Sequence, residues 1–446
     1  MIGIGGIGMS GIAKLLLRSG SKVSGSDLKE TMITEGLKKL GARIFIGHNA
    51  VNIKGANLTI YSSAIKEDNP EFIESKRQNI PLIKRAQALA QLMNKKVVIT
   101  VAGSHGKTTT ASLASCLLSQ AGLEPCVAVG GILRNIGTNS YLGNGDFFVA
   151  EADESDGSFL YYRPKYSIIT NIDREHLDYY KEFENELLAF REFLGRTENG
   201  GCVFCCADDS NLKKILADYN NRYVLFGMKS SAQVYPKDIQ LTGLSSDFDC
   251  FYKNKFVERF HLSLGGEHNI SNSLSVIALG LELGIDLKFI KETLAQYKGV
   301  KRRLEIKFVN VNYMVIDDYA HHPSEIEATL AAVRNLQFNR AIIIFQPHRY
   351  TRTKLLLDDF AKCFRFADYL IITDIYPAGE SPIEGINGRS VYDKIKEYAP
   401  DKEALFLPKD EILAHILKII KPRDLVITLG AGDIVKISDE LAQRLS

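Results

Sequence analysis

The stretch VVITVAGSHGKTTTASL, residues 97–113, leaves the chain few ways to fold. A run of β-branched residues favours a strand. Glycines then turn the backbone, and a Lys-Thr-Thr-Thr run opens a helical pattern. A strand feeding a glycine turn and a helix directs backbone N–H groups at one point, where the helix N-terminus favours an anion. The spacing is unusual. The common phosphate loop places its first glycine five positions before the glycine of the Gly-Lys pair. Here that position is Val101, and the glycine is Gly103. Gly103 and Gly106 let the backbone approach phosphate oxygens, with Ser104 and His105 between them. Lys107 supplies a point charge for the β/γ-phosphates, the Thr108 hydroxyl is placed for Mg²⁺, and Thr109 follows.

The same alternation of strand-like and helix-like runs extends from end to end, which predicts an α/β protein with mostly parallel sheets. Three blocks stand out, at 1–94, 95–300 and 301–446. The 446 residues allow two to four domains. The charges nearly balance, 55 basic against 53 acidic, which gives no reason to expect nucleic-acid or membrane binding. Seven cysteines without metal-type spacing predict buried thiols in a reducing cytoplasm.

Polar residues fall where apolar runs end, at Gly5, Gly103, Glu151, Asn171, Asp317, His348 and Asp374. In open α/β sheets ligands bind beyond the carboxyl ends of strands. DFFVAEADESDGS brings Glu151 to a strand tip, the best-placed carboxylate for Mg²⁺, with Asp153, Glu154 and Asp156 in the loop after it. YSIITNIDREHLDYY runs into Asn171, Asp173 and His176, a second metal ligand or a phosphate contact.

A second glycine loop opens the chain. GIGGIG (Gly3, Gly5, Gly6, Ile7, Gly8) fits G-x-G-x-x-G before a helix, with Asp27 about 20 residues on. A nicotinamide dehydrogenase would use such a loop but leaves AGSHGKTTT unexplained. The first block is too short for a full dinucleotide domain, so the expected ligand is the pyrophosphate of another nucleotide. Only Met1 and Ile2 precede the loop. The first strand is therefore expected to be stunted, with a few residues missing before it.

Taken in order, AGSHGKTTT, EADESDGSF, TNIDREHLDYY, GEHNISNSLSV, VKRRLE, DDYAHHPSE and FQPHRYTR resemble the Mur ligases, the ATP-dependent amide-forming enzymes of peptidoglycan precursor synthesis. The similarity covers essentially the whole chain and is nearest to the branch that adds L-alanine. It implies three domains: an N-terminal Rossmann-like UDP-sugar domain, a central P-loop ATPase domain and a C-terminal Rossmann-like domain. It implies ATP with Mg²⁺ or Mn²⁺, and UDP-N-acetylmuramate and L-alanine as substrates of a cytoplasmic monomer or homodimer. Within the ligases, the alternative is the recycling enzyme that attaches a tripeptide to the same UDP-sugar.

The resemblance also assigns residues. Lys107 screens the approach of two anions. Thr108 and Glu151 hold Mg²⁺, and His176 holds or orients a second metal. His268, Asn269 and Asn272 lie near adenine, although helix capping alone would account for the two asparagines. Arg302 reaches the phosphates, Asp317 meets the ribose or its surroundings, and Tyr319 and His321 belong to a closing loop with His322. Arg349 and Arg352, beside His348, grip a carboxylate. Asp27, His48, Ser62 and Ser63 remain for the uridine and diphosphate. Related ligases bridge metals through a carbamoylated lysine, but ENELLAFREFLGR has no lysine, which fits the alanine-adding branch.

Overall fold

A computed structural model describes residues 1–94 and 96–446, with the side chain of Asp178 excepted. The chain packs into two compact units. The first comprises Met1–Asp238, Phe248–Phe260 and Ser271–Lys298; the second comprises Ile239–Asp247, His261–Ile270 and Gly299–Ser446.

The first unit opens with two short parallel pairs, β1 (Ser24–Asp27) with β2 (Arg43–Ile46) and β3 (Thr59–Tyr61) with β4 (Leu82–Lys84). Ile2 joins them, bridging Ser26 on one side and Tyr61 on the other, both in parallel. The stunted first strand is thus a single residue. It sits where a full central strand would lie, and the glycine loop leaves from it towards the helix Ile7–Arg18. The stretch PLIKRAQALAQLM reads as helical, but Leu82–Lys84 pair as β4, and the helix is confined to Arg85–Met93. β-Branched Ile83 pairs with Ile60 there, so strand pairing outweighs the helical tendency of its neighbours.

The larger sheet of this unit contains β5 (Val97–Ala102), β6 (Cys126–Leu133), β7 (Thr138–Tyr141), β8 (Phe147–Glu151), β9 (Tyr166–Ile169), β10 (Cys202–Cys206) and β11 (Tyr223–Phe226). β12 (Val234–Thr242), β13 (Ser245–Tyr252) and β14 (Lys255–Leu262), whose residues 239–242, 245–247 and 261–262 are counted with the second unit, complete the order β14-β13-β12-β11-β10-β9-β5-β8-β6-β7. β5 lies between β8 and β9, parallel to both. Ile99, Val101 and Ala102 are fully buried, as expected of a central strand covered on both faces. The helix Lys107–Gln120 packs closely because it buries Ala111, Ser112, Ala114 and Ser115. The helix Ile7–Arg18 rests on the β6–β7 hairpin. Asn139 donates its side-chain amide to the Ile7 carbonyl at 2.8 Å, and Lys14 donates to Asn139 Oδ1 at 2.9 Å.

The second unit is built on a six-stranded sheet of β15 (Glu305–Val309), β16 (Tyr313–Asp318), β17 (Arg340–Phe345), β18 (Tyr369–Ile372), β19 (Ala404–Phe406) and β20 (Asp424–Leu429), ordered β15-β16-β20-β17-β18-β19. β15 is antiparallel and the other pairings are parallel. Strand alternation splits its core. Ile343, Phe345, Leu370, Ile372, Leu425 and Ile427 pack on one face, and Ile342, Ile344, Ile371 and Val426 on the other.

All seven cysteines are unpaired; six are buried and Cys116 is partly so. Burial pushes the Cys202 thiol up to about 11 and those of Cys116 and Cys250 up to about 12. Among the described residues no helix is long and apolar enough to cross a membrane.

Candidate functional site

The loop between β5 and the helix Lys107–Gln120 is fixed by backbone geometry that only glycine tolerates well. Gly103 has φ +122°, and a Cβ there would stand 2.3 Å from Thr170 Oγ1. Gly106 has φ +82°, and its Cβ would meet Asn272 Oδ1 at 2.6 Å. The side-chain amide of Asn272 therefore lies against the start of the loop helix. Ser104 and His105 tie the loop to the end of β9. Ser104 N–H donates to the Asn171 carbonyl at 3.0 Å, and Asp173 N–H donates to Ser104 Oγ at 2.8 Å. His105 N–H donates to Asn171 Oδ1 at 2.9 Å, and the His105 carbonyl accepts from Thr170 Oγ1 at 2.6 Å. The His105 ring meets Asp173 Oδ2 at 3.0 Å. The two residues between the glycines thus brace the loop against the neighbouring strand. Thr109 is buried in the helix, and its carbonyl accepts from the Tyr297 hydroxyl at 3.2 Å.

Lys107 folds back over its own loop. Its Nζ donates to the Gly103 carbonyl at 2.5 Å, the Ser104 carbonyl at 3.1 Å and Glu154 Oε1 at 2.7 Å. Burial works against its charge, but Glu154 and Asp153 outweigh it and the pKa rises. Glu154 is fully buried, and its Oε2 has no hydrogen-bond partner. His176 Nε2 stands 3.4 Å from Glu154 Oε1 and 3.6 Å from Glu175 Oε2. Burial disfavours the imidazolium, yet these carboxylates raise its pKa. His176 has φ +55°, an uncommon conformation for a non-glycine residue.

Glu151, the last residue of β8, accepts the Gly130 N–H at 2.7 Å and a hydrogen bond from Thr108. Its pKa is raised by burial, against the pull of Gly130, Lys107 and Thr108. The donor set fits a hard divalent cation. Thr108 and Glu151 offer oxygens side by side, and ligand atoms of Glu154, Glu175 and His176 lie within 4.8 Å of one another around an unpartnered buried carboxylate oxygen. Behind them Glu186 is fully buried and pushed up to about 9 by burial, then by Glu154 and Glu175.

At the first glycine loop, Gly5 N–H donates to Asp27 Oδ2 at 2.8 Å, so Asp27 folds back onto the loop. Gly6 caps the following helix and Ile7 begins it. A Cβ on Gly8 would meet Arg85 Nη1 at 3.0 Å. His48 belongs to a network with Ser26 and buried Glu71, at 3.1 and 3.2 Å, and the Ser26 carbonyl accepts the Gly3 and Ile4 N–H groups at 2.9 and 3.0 Å. Ser62 N–H donates to the Ile2 carbonyl at 3.2 Å, beneath Gly3, and Ser63 lines a small cleft with Arg85.

The second unit gathers the remaining candidates. Arg302, at φ +62°, turns its guanidinium inward to Asp317 Oδ2 at 3.0 Å and the carbonyls of Gly430 and Gly432 at 2.6 and 2.9 Å. Asp317 is fully buried and also accepts from Thr428 Oγ1 at 2.7 Å. Burial raises its pKa against the pull of Arg302. In this conformation the pair braces the end of the sheet. Tyr319 lies under the Arg302 and Arg303 guanidinium groups, and its carbonyl meets His321 Nδ1 at 3.0 Å. The His321 ring approaches His348, which stacks on Tyr376 and sits 3.2 Å from Arg352 Nη1. Burial, then His321, Arg352 and Arg349, drive the His348 pKa down to about 2. Arg349, at φ +69°, places Nη1 3.9 Å from Glu380. On the helix Glu267–Glu282, His268 is held down at about 4 by burial and then Arg303, and Asn269 donates to the Gly265 carbonyl at 2.8 Å.

The main residues that sequence reasoning underrated are Glu154 and Glu186. Nothing in the spacing of EADESD separates Glu154 from a solvated loop acid. Glu186 carries a signal: it shares one helix face with Phe183, Phe190 and Phe193, an acid on an apolar stripe.

Three family models match in sequence: the Mur ligase family catalytic domain over residues 1–97, the Mur ligase middle domain over 101–280, and the Mur ligase glutamate ligase domain over 302–432. The chain is 44% identical over 444 residues to a UDP-N-acetylmuramate–L-alanine ligase of Geotalea uraniireducens, covering 100% of this chain and 97% of the relative. It is 46% identical over 446 residues to the enzyme of the same name from Desulfatibacillum aliphaticivorans, covering 99% and 98%. Among solved structures, a UDP-N-acetylmuramate–alanine ligase from Thermotoga maritima aligns with a TM-score of 0.85 at 31% identity, covering 100% and 98%. A murein peptide ligase from Psychrobacter arcticus aligns at 0.74 and 24% identity over 100% and 98%, a likeness of fold. With the family models spanning nearly all of the chain and full-length relatives above 40% identity, the chain belongs to the Mur ligase family.

Proposed function

We propose that this chain joins L-alanine to the lactyl carboxylate of UDP-N-acetylmuramate at the expense of ATP, in the cytoplasm. The observation that carries the reading is the junction of β5, β8 and β9, where Lys107, Thr108, Glu151, Glu154 and His176 converge on one anion-binding turn. The names of the full-length relatives supply the substrates. The domain boundaries we assign are 1–94 for the UDP-sugar, 95–300 for ATP and 301–446 for the C-terminal domain.

A carboxylate oxygen of the muramyl group attacks the γ-phosphorus of ATP. The bond to the β,γ-bridging oxygen breaks, leaving ADP and an acyl phosphate. The amine of L-alanine, having lost a proton to solvent, attacks the acyl carbon, and the tetrahedral adduct gives up a second proton from nitrogen as it expels phosphate. Two anions must meet in the first step, so positive charge has to be in place beforehand. Lys107 provides it, held at the turn by two carbonyls and Glu154. Thr108 and Glu151 would hold one Mg²⁺ or Mn²⁺, and His176 with Glu154 and Glu175 a second; such ions supply charge neutralisation for the transferred phosphoryl group. The N–H groups of the Gly103–Lys107 turn orient the nucleotide. Arg349 and Arg352 receive the carboxylate of alanine, in a setting where His348 stays neutral.

The test is phosphate release with UDP-N-acetylmuramate and ATP, adding L-alanine, glycine, L-serine or the tripeptide in turn. We expect release to depend on L-alanine. Release with the tripeptide alone would assign the recycling reaction, and a flat response to every acceptor would reject a ligase.

A further inference from the structure

A lysine ammonium has three N–H donors. Lys107 uses all of them within its own fold, on the Gly103 carbonyl at 2.5 Å, the Ser104 carbonyl at 3.1 Å and Glu154 Oε1 at 2.7 Å. In this conformation it has no N–H left for a phosphate oxygen, so one bond must break before it can serve a nucleotide. The two carbonyls lie three and four residues back in the turn that carries the lysine. The bond to Glu154 crosses to another loop and is the one given up when the lysine turns to a phosphate. Glu154 cannot follow. Its carbonyl accepts from the Tyr180 hydroxyl at 2.6 Å and the Gly157 N–H at 3.0 Å, which pins it in the acidic loop. Its side chain is fully buried, and Oε2 already lacks a partner. Departure of Lys107 alone would strand a buried carboxylate without a counter-ion. A divalent cation suits the vacated side of Glu154. His176 Nε2 stands 3.4 Å from the same Oε1, and ligand atoms of Glu154, Glu175 and His176 lie within 4.8 Å of one another.

We propose that Glu154 is a positioning residue that holds Lys107 away from the nucleotide and releases it to the γ-phosphate in exchange for a divalent cation. The proposal rests on the reading of the Gly103–Lys107 turn as the ATP site. Glu154 then trades one positive partner for another, and its buried charge is never left alone. Lys107, once released, keeps its two carbonyls and turns its third N–H to the phosphate. The exchange links two binding events. A cation beside Glu154 favours the nucleotide, and a nucleotide that draws Lys107 away favours the cation. This ion is separate from the one that arrives chelated by the nucleotide and meets Thr108 and Glu151.

The experiment is calorimetric titration of the full chain with the β,γ-imido analogue of ATP. Ionic strength is held constant, and free Mg²⁺ is varied over a range in which the analogue stays fully chelated. With one further ion entering per nucleotide, a tenfold rise in free Mg²⁺ should tighten binding about 10-fold until the site saturates. Glu154→Gln should flatten that dependence. Because its lysine is no longer held back, the variant should also bind the analogue more tightly than wild type at the lowest Mg²⁺. A residue that served only the fold would weaken binding at every Mg²⁺ concentration, so equal or weaker binding by Glu154→Gln at low Mg²⁺ overturns the proposal. A wild type indifferent to free Mg²⁺, or a variant with the wild-type dependence, overturns it too. Should Glu154→Gln fail to fold, His176→Ala removes a cation ligand while keeping the bond between Lys107 and Glu154. It should bind the analogue weakly with little response to Mg²⁺, and a wild-type response there carries the same refutation. A wild type that does not bind the analogue at all refutes the ATP-site reading, whereas binding without coupling to Mg²⁺ refutes only the exchange.

Discussion

Lys107 and Glu154 form the tightest electrostatic unit of the central site, and each is exposed to a different loss. Lys107→Ala removes the charge that lets two anions approach. Turnover should fall below detection while calorimetry still registers UDP-sugar binding; retained turnover would exclude the turn as the ATP site. Glu154→Gln keeps the shape but leaves the lysine charge in a buried place without its counter-ion. Breaking one side of such a pair costs about 3–5 kcal/mol. The melting temperature and kcat should both drop, and an unchanged melting temperature would mean that the pair contributes little. Lys107 was legible from the sequence because glycine spacing and a following Lys-Thr have one common physical use. Its partner was not, since a strand-tip run of four acids gives no clue to which one turns inward. Histidines give a pH signature. His268 is held near 4 in the folded chain against 6.5 ordinarily, so below pH 6.5 the unfolded chain takes up the proton first. Its contribution is intact above pH 6.5 and is lost progressively as pH falls towards about 4. Replacing it with Gln should flatten that part of the stability–pH curve obtained by urea unfolding.

At the scale of elements, the loop between β5 and its helix depends on glycine for space as much as for φ. Gly103→Ala would drive a methyl group into Thr170 and the Asn171 carbonyl, parting the loop from β9. We expect KM for ATP to rise more than 10-fold with the UDP-sugar constants little changed. A variant with wild-type ATP kinetics would show that the brace between loop and strand is dispensable. The long β-branched runs were readable as strands, among them β5, β16, β17, β18 and β20, because burial on both faces of a parallel sheet demands such runs. The β6–β7 hairpin was not, since VAVGGILRNIGTNSY interrupts its apolar residues with glycines and asparagine. Nor was the inward turn of Arg302, which depends on the Gly430 and Gly432 carbonyls, more than a hundred residues away in sequence.

At the scale of the whole molecule, the order of motifs pointed to the ligase family and to a reading with two nucleotide sites, but not to the packing. Contacts such as Asn139 to Ile7 join the first block to the central one, and no local pattern announces them. Ligand linkage tests both sites together. ATP and the UDP-sugar, each at 100 times its Kd, should each stabilise the fold by about 2.7 kcal/mol, seen as separate upward shifts in melting temperature. A chain that responds to only one nucleotide would contradict the two-site reading. The buried thiols bear on how such a protein can be watched at work. A maleimide attacks thiolate, and six of the seven sulfur atoms are buried while Cys116 is only partly accessible and pushed up to about 12. The native chain should therefore take up dye slowly and the unfolded chain quickly. A fluorophore pair could then be attached at two introduced surface cysteines, one on each compact unit, with every native cysteine left in place.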